Sequence, residues 1–249
     1  MRQAIVRLTG KVKKRYLFFF LVLLILAGSF LLWPPQTQEQ EEPALPTMFE
    51  TLAGQIAAAG KKMENYGLTI EESGPGYEII FQGQVNREKI YGKLEAYELE
   101  VFSAYNQYFA KNTSAQEWQD LNALGLGDLP ALICTPWQLW EKILAANELT
   151  VEAGKERVVN GALCQTYFLE IQHPDTCLIT GFPENATLEK LQVYLWLDVE
   201  NDFIHRMALT LDMVVDGENI QLNRVLQMDP QAKALPAGLP PVEMPGVAV

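Results

Sequence analysis

Histidine and cysteine are scarce in this chain, with two and three among 249 residues. A hydrolytic site needs a nucleophile, a base and a group that orients the base. Neither His173, beside Pro174, nor His205, in phase with an apolar strand face, sits in a catalytic motif. His205 reads as a satisfied inward-facing side chain. Gly-rich phosphate loops and Cys/His metal spacings are also missing. Asp212, Asp216, Gly217 and Glu218 fail as a calcium loop because Val214 stands at the third ligand position and Asn223 at the twelfth. Asp198, Glu200, Asn201 and Asp202 crowd one turn and read as a hairpin rather than a cation site. The expectation is a protein that is not an enzyme and takes no cofactor or metal. Cys134, Cys164 and Cys177 make an odd count. With a two-residue turn at Pro174-Asp175, Cys177 faces Gln172 rather than Cys164, so no disulfide is indicated.

Acids are missing from the first fifteen residues, which hold Arg2, Arg7, Lys11, Lys13, Lys14 and Arg15. Charge of either sign is then missing from Tyr16 to Trp33, eighteen residues of which thirteen are Leu, Ile, Val or Phe. As a helix they reach roughly 27 Å, close to the ~30 Å hydrocarbon core of a bilayer. At roughly 0.3 to 0.6 kcal/mol per apolar residue the insertion gain is at most about 4 to 8 kcal/mol. Basic residues stay on the cytoplasmic side, so the reading is a single-pass anchor in the cell membrane, N-terminus cytoplasmic and main domain extracytoplasmic. A cleaved signal peptide is the competitor, but the apolar run continues past Ala27-Gly28-Ser29 into Phe30-Leu31-Leu32-Trp33. Leu26-Ala27-Gly28-Ser29 resembles a lipoprotein box with Ser29 in the place of the lipid-bearing cysteine, which excludes lipidation there. All 31 acids and only 13 of the 19 bases follow residue 15, a balance of −18. A surface that acidic repels nucleic acid and anionic headgroups.

Proline and glutamate dominate 34–46, an extended linker, and five prolines mark 230–249 as a disordered tail. Residues 47–229 remain as one domain. It opens on a helix capped by Thr47 with Glu50 three residues on, Met48, Phe49, Leu52, Ile56 and Met63 falling near one face. Runs rich in Ile, Tyr, Phe and Val follow at 68–72, 77–85, 89–95, 97–103 and 107–111, with turns at Gly74-Pro75-Gly76 and near Asn86. Pro136 starts a second helix over 137–146. Strands resume at 151–159, 162–171, 191–198, 203–215 and 220–228, with Asn160-Gly161 as a tight turn. In the long strand Phe203, His205, Met207, Leu209, Leu211, Met213 and Val215 alternate with Ile204, Arg206, Ala208, Thr210, Asp212, Val214 and Asp216, over a span of about 40 Å. A strand that long belongs to a large curved sheet. The fold class is therefore α+β, an antiparallel unclosed half-barrel with about two helices on its concave face.

Gly83-Gln-Val, Ile90-Tyr-Gly-Lys-Leu, Tyr97-Glu-Leu-Glu-Val, Trp118, the Leu129-Pro to Pro136 stretch, Val159-Asn-Gly and Leu195-Trp-Leu-Asp together resemble the LolA-like lipoprotein-carrier and LppX/LprG lipid-binding superfamily. The resemblance covers about 47–229 and implies an open barrel whose helix-covered face accepts acyl chains. Carriers of this type are released or lipidated at a cysteine, whereas this chain keeps an apolar helix. Related envelope-stress regulators carry a second domain that this chain has no room for. A tethered binder or sensor fits better than a shuttle.

Two apolar features are candidates for the site. Phe81, Leu99, Tyr167, Met207, Leu209, Leu211, Met213 and Leu222, with Tyr97 and Met228 beside them, are placed to line a compliant apolar cavity. Leu124, Leu126, Leu129 and Leu132, with Leu121 and Ile133, lie in a Gly/Pro-interrupted stretch that cannot be one regular helix and forms a lid. The expected function is binding of a lipid or of lipoprotein acyl chains without catalysis. The alternative is an envelope protein-interaction or sensor module whose core is filled, with a protein partner.

Overall fold

The computed structural model describes residues 47–127, 129–144, 149–174 and 186–242. The expected basic start, anchor and linker (1–46) all lie outside them, as does Cys177. No helix among the described residues is long and apolar enough to cross a membrane.

Helix α1 (Met48–Lys62) begins as its sequence dictates. Thr47 Oγ1 accepts the Glu50 N–H at 3.2 Å, and Glu50 Oε2 accepts the Thr47 N–H at 2.7 Å. Two amide protons with no intrahelical partner are thereby satisfied, and the Thr47 N–H and hydroxyl, both donating to Glu50 Oε2, hold that carboxyl below its usual range. Leu52, Ile56 and Ala59 are buried, whereas Met48, expected on the same face, is exposed. Helix α2 (Leu129–Leu132) is one turn long. Helix α3 (Pro136–Leu144) repeats the capping box, with Thr135 Oγ1 accepting from Gln138 N–H at 3.3 Å and Gln138 Oε1 from Thr135 N–H at 2.8 Å. The α1–α3 contact is close: a Cβ on Gly60 would lie 3.6 Å from the Trp137 ring.

The strands are β1 (Asn65–Gly74), β2 (Tyr77–Asn86), β3 (Lys89–Leu94), β4 (Leu99–Ala104), β5 (Gln107–Asn112), β6 (Gln119–Asp120), β7 (Leu149–Ala153), β8 (Arg157–Val159), β9 (Ala162–Gln172), β10 (Ala186–Asp198), β11 (Phe203–Val215) and β12 (Glu218–Asp229). Every pairing is antiparallel, in the order β6-β5-β4-β3-β2-β1-β12-β11-β10-β9-β7. The two ends of that order do not pair, so the sheet is unclosed. Tyr105-Asn106, Asn160-Gly161 and Asp216-Gly217 join consecutive strands with positive φ at both turn residues. Such turns match the strand twist.

One sheet face carries the core. Along β11 the side chains of Met207, Leu209, Leu211 and Met213 are buried and those between them half-buried, the expected period of two. They join Leu52 and Ile56 of α1, Leu139, Trp140 and Ile143 of α3, and the inward residues of the other strands in one cluster. The alternation fails at one end, where Leu197 pairs with Ile204 and Trp196 with Arg206. His205 is the extra residue of that bulge, and Ile204 and His205 are both buried. His205 departs from its expected satisfied state: its Nδ1 has no hydrogen-bond partner among the described residues, and its Nε2 stands 3.9 Å from Asp198. The expected strand 151–159 is two strands. Gly154 N–H donates to Thr166 O at 2.7 Å, and residues 157–159 re-pair with 162–164 in a separate hairpin. The strand expected from Tyr97 begins instead at Leu99, because Glu95–Tyr97 form a 3₁₀ turn closed by Glu98 at φ +51°. The segment expected as a disordered tail has no helix or strand over 231–242, but Lys233 N–H donates to Gln84 Oε1 at 2.7 Å and Trp118 Nε1 to Gly238 O at 3.3 Å.

Leu209 and Leu211 are 2% and 1% exposed, while Thr210 between them is half-buried on the other face. Leu209→Asp and Leu211→Asp each bury a carboxylate with no partner and are expected to destabilise the domain by several kcal/mol (about 3 or more), against less than about 1 for Thr210→Asp. Urea denaturation midpoints of the three variants check this; equal midpoints contradict the alternation.

Candidate functional site

The inward phase of β1 runs Tyr66, Leu68, Ile70 and then Glu72; that of β12 runs Leu222, Arg224, Leu226 and Met228. The register places Glu72 directly opposite Arg224. Two opposite charges thus enter an otherwise apolar face side by side, 8% and 4% exposed. Burying both is costly unless the geometry and the remaining hydrogen bonds are good. Here they are. Arg224 Nε donates to Glu72 Oε2 at 2.6 Å, and Nη2 pairs with the same carboxylate. The Tyr77 hydroxyl donates to Glu72 Oε1 at 3.1 Å. Arg224 Nη1 donates to the carbonyl of Ala131 at 2.9 Å and reaches Cys134 Sγ at 3.9 Å. Burial and the Glu72 charge push the Tyr77 hydroxyl up to about 12, so it remains a donor at neutral pH. Burial also raises the Cys134 thiol, even with the Arg224 and Lys142 charges pulling it down, which leaves it protonated and unreactive.

The bond to Ala131 fastens the segment that precedes α3 onto the sheet. That segment is tied to itself: Leu124 and Leu126 N–H donate to Leu121 O, Leu129 N–H to Leu126 O and Ile133 N–H to Leu129 O. Leu132 and Ile133 are buried beneath it. It does not close down completely. A cavity of about 540 Å³ remains between Gly125, Leu126, Leu129, Ala131 and Leu132 and the sheet, with the Glu72–Arg224 pair in its wall.

Several residues expected at the site meet there. Leu99, Met213 and Leu222 line the cavity from the sheet, Leu126, Leu129 and Leu132 from the lid, and Tyr97 at its exposed side. Others do not. Leu124 is 38% exposed and outside the lining. Met207, Leu209, Leu211 and Met228 share the inward face and are buried in the core but do not line the cavity. Tyr167 lies in that core as well, its hydroxyl donating to Gln55 Oε1 at 2.8 Å. Phe81 is fully buried because its ring occupies the space over the paired Gly83 and Gly92; a Cβ on either would come within 2.6 Å of ring carbons. Glu72, Tyr77 and Arg224 were not foreseen, nor were Ile79, Leu94, Val215 and Ile220. The signal for the first and third was a charge in the inward phase of a strand.

No family model and no curated protein sequence matches the chain. Among solved structures it is similar to the Mycobacterium tuberculosis lipoprotein LppX, at 8% identity and a TM-score of 0.47 over 75% of this chain and 96% of that one. It is also similar to a chain of the Pseudomonas aeruginosa MucA/MucB complex, at 13% identity and a TM-score of 0.31 over 74% of this chain and 58% of that one. A putative outer membrane lipoprotein-sorting protein domain from Vibrio parahaemolyticus follows at 8% identity and 0.29, over 74% and 93%. All three scores lie below 0.5, so what this chain does has to come from its own residues. Its unclosed antiparallel sheet, covered on one face by few helices, is the arrangement implied by the LolA-like and LppX/LprG resemblance.

Removing one partner of a buried pair leaves the other charge without compensation. Arg224→Met is therefore expected to destabilise the domain by about 3 to 5 kcal/mol, and Glu72→Leu with Arg224→Met together by much less. Chemical denaturation of the single and double variants measures the difference. A double variant as unstable as the single one contradicts the assignment.

Proposed function

We propose that this chain is a membrane-tethered extracytoplasmic domain that binds a lipid, or the acyl chains of a lipoprotein, in the cavity beneath residues 125–132, without catalysis. The observation that carries this reading is the cavity itself: about 540 Å³, walled by leucines of the lid on one side and by Leu94, Leu99, Met213 and Leu222 of the sheet on the other. An acyl chain entering such a space gains about 0.8 kcal/mol for each methylene taken out of water. Among the described residues the one cation in the wall is already engaged: Arg224 is held by Glu72 and by the Ala131 carbonyl. Its charge is matched, so the cavity favours hydrocarbon over an anionic headgroup, which would have to displace a buried carboxylate. The tether rests on the sequence alone, where six bases precede the apolar run and no acid does.

The full chain, purified in detergent, is expected to carry lipid detectable by mass analysis of its organic extract. Adding that lipid raises its stability by ~2.7 kcal/mol at a hundredfold excess over the dissociation constant. Met213→Trp and Leu222→Trp fill the cavity and block uptake with the fold kept, whereas Leu209→Trp overpacks a filled core and costs about 1 to 3 kcal/mol. A chain that is lipid-free and unshifted by added lipid overturns the reading. For topology, reporter fusions at Glu50 and Val249 are expected to be active only outside the cell, and activity of a cytoplasm-only reporter at either point contradicts the tether.

A further inference from the structure

The second large hollow lies on the opposite face of the same sheet. Its floor is the outward side of β1, β2, β3 and β12, and one wall is the segment 231–236 that crosses this face after β12. Its volume is about 720 Å³. The register fixes what the floor presents: Thr69 lies between Gln82 and Gln227 across the strands, and Gly67 between Gln84 and Asp229. Gly67 makes the notch. A Cβ there would sit 3.3 Å from the Asp229 Cβ, so any side chain at that position narrows the hollow between its two polar neighbours.

The wall is built rather than loosely draped. Lys233 N–H donates to Gln84 Oε1 at 2.7 Å, Gln231 N–H to Asp229 Oδ1 at 2.8 Å, and further on Trp118 Nε1 to Gly238 O at 3.3 Å. A segment that crossed the sheet only to cover it would be expected to press apolar side chains onto apolar partners. This one spans a floor of amides, a hydroxyl and the Asp229 carboxylate and leaves it open, with Lys93, Glu95 and Lys233 also in the lining, two acids against two bases. Lys93 at the border is paired with Glu100 at 3.4 Å.

From this hollow we infer a binding site for a neutral polyhydroxylated ligand, a glycan, held by the amides of Gln82 and Gln227 with Thr69 between them. A carboxamide presents a donor and an acceptor side by side, which matches two adjacent sugar hydroxyls without charge. Tyr91, half-buried at the border and in edge contact with Trp118 at 6.5 Å, offers a ring face for the apolar side of a pyranose. An extended peptide is the less suitable occupant, since its backbone is recognised at a sheet edge. The floor here is a face whose strands are all paired.

The test uses the full chain in a detergent without a sugar headgroup, titrated calorimetrically with uncharged tetrasaccharides: cellotetraose, maltotetraose, mannotetraose and chitotetraose. At least one is expected to bind with Kd below about 1 mM. Gln82→Ala and Gln227→Ala are each expected to weaken it about tenfold, while Leu222→Trp, on the other face, leaves it unchanged. Absence of binding by all four at about 10 mM overturns the inference. So does binding that both alanine variants retain, or a hollow that takes an uncharged tetrapeptide and none of the sugars. Because Leu222→Trp acts only on the apolar cavity, failure of the lipid reading and failure of this one are distinguishable.

Discussion

One buried ion pair constrains this structure more than any other contact. Arg224 and Glu72 face each other across β12 and β1 on the apolar side of the sheet, where neither would be tolerated alone. Every hydrogen bond they make therefore has a structural consequence. Tyr77 is held against the carboxylate, which fixes the β1–β2 hairpin end. The Ala131 carbonyl is held against the guanidinium, which fixes where the lid meets the sheet. The volume left between them is the cavity.

The covered face of the sheet is thus divided in two. On one side Met207, Leu209, Leu211 and Leu195 are buried in the cluster that includes Leu52 and Ile56 of α1 and Leu139, Trp140 and Ile143 of α3, and they do not line the cavity. Toward the β1–β2 and β11–β12 hairpins, among the described residues, the cover is Gly125, Leu126, Leu129, Ala131 and Leu132, and the one turn of α2 leaves space between itself and the sheet. The polarity of this end follows from the same pair. A matched charge in an apolar wall offers an entering ion no free partner, because the ion would have to displace one already in place.

Most of the sheet was legible in the sequence. Period-two runs such as Met207 to Met213, and turn pairs such as Asn160-Gly161 that tolerate positive φ, are local signals that the structure follows, although β10 starts five residues before the expected 191 and β1 three before the expected 68. The capping box at Thr47 and Glu50 was equally local. What could not be read was which inward residues end up packed and which end up lining space. Met207 and Met213 lie on the same strand face, six residues apart, and only the lateral position of α1 and the lid distinguishes them. The break at Gly154 was hidden because β7 and β8 share β9 as partner, a tertiary fact. Glu72 and Arg224 were visible as charges in an apolar phase, yet their pairing depends on β1 and β12 lying adjacent although 152 residues separate them.

Through the Ala131 carbonyl, Arg224 fastens the lid segment to the sheet. Hydrogen exchange of the backbone amides tests it most directly, in particular Leu126, whose N–H donates to Leu121 O, and Ile133, whose N–H donates to Leu129 O. In the Arg224→Met chain these amides are expected to exchange faster by about tenfold or more relative to those of α1, because a local opening has lost its restraint. If the lid and α1 amides change by the same factor, the pair contributes only to global stability, and the lid is held by something else.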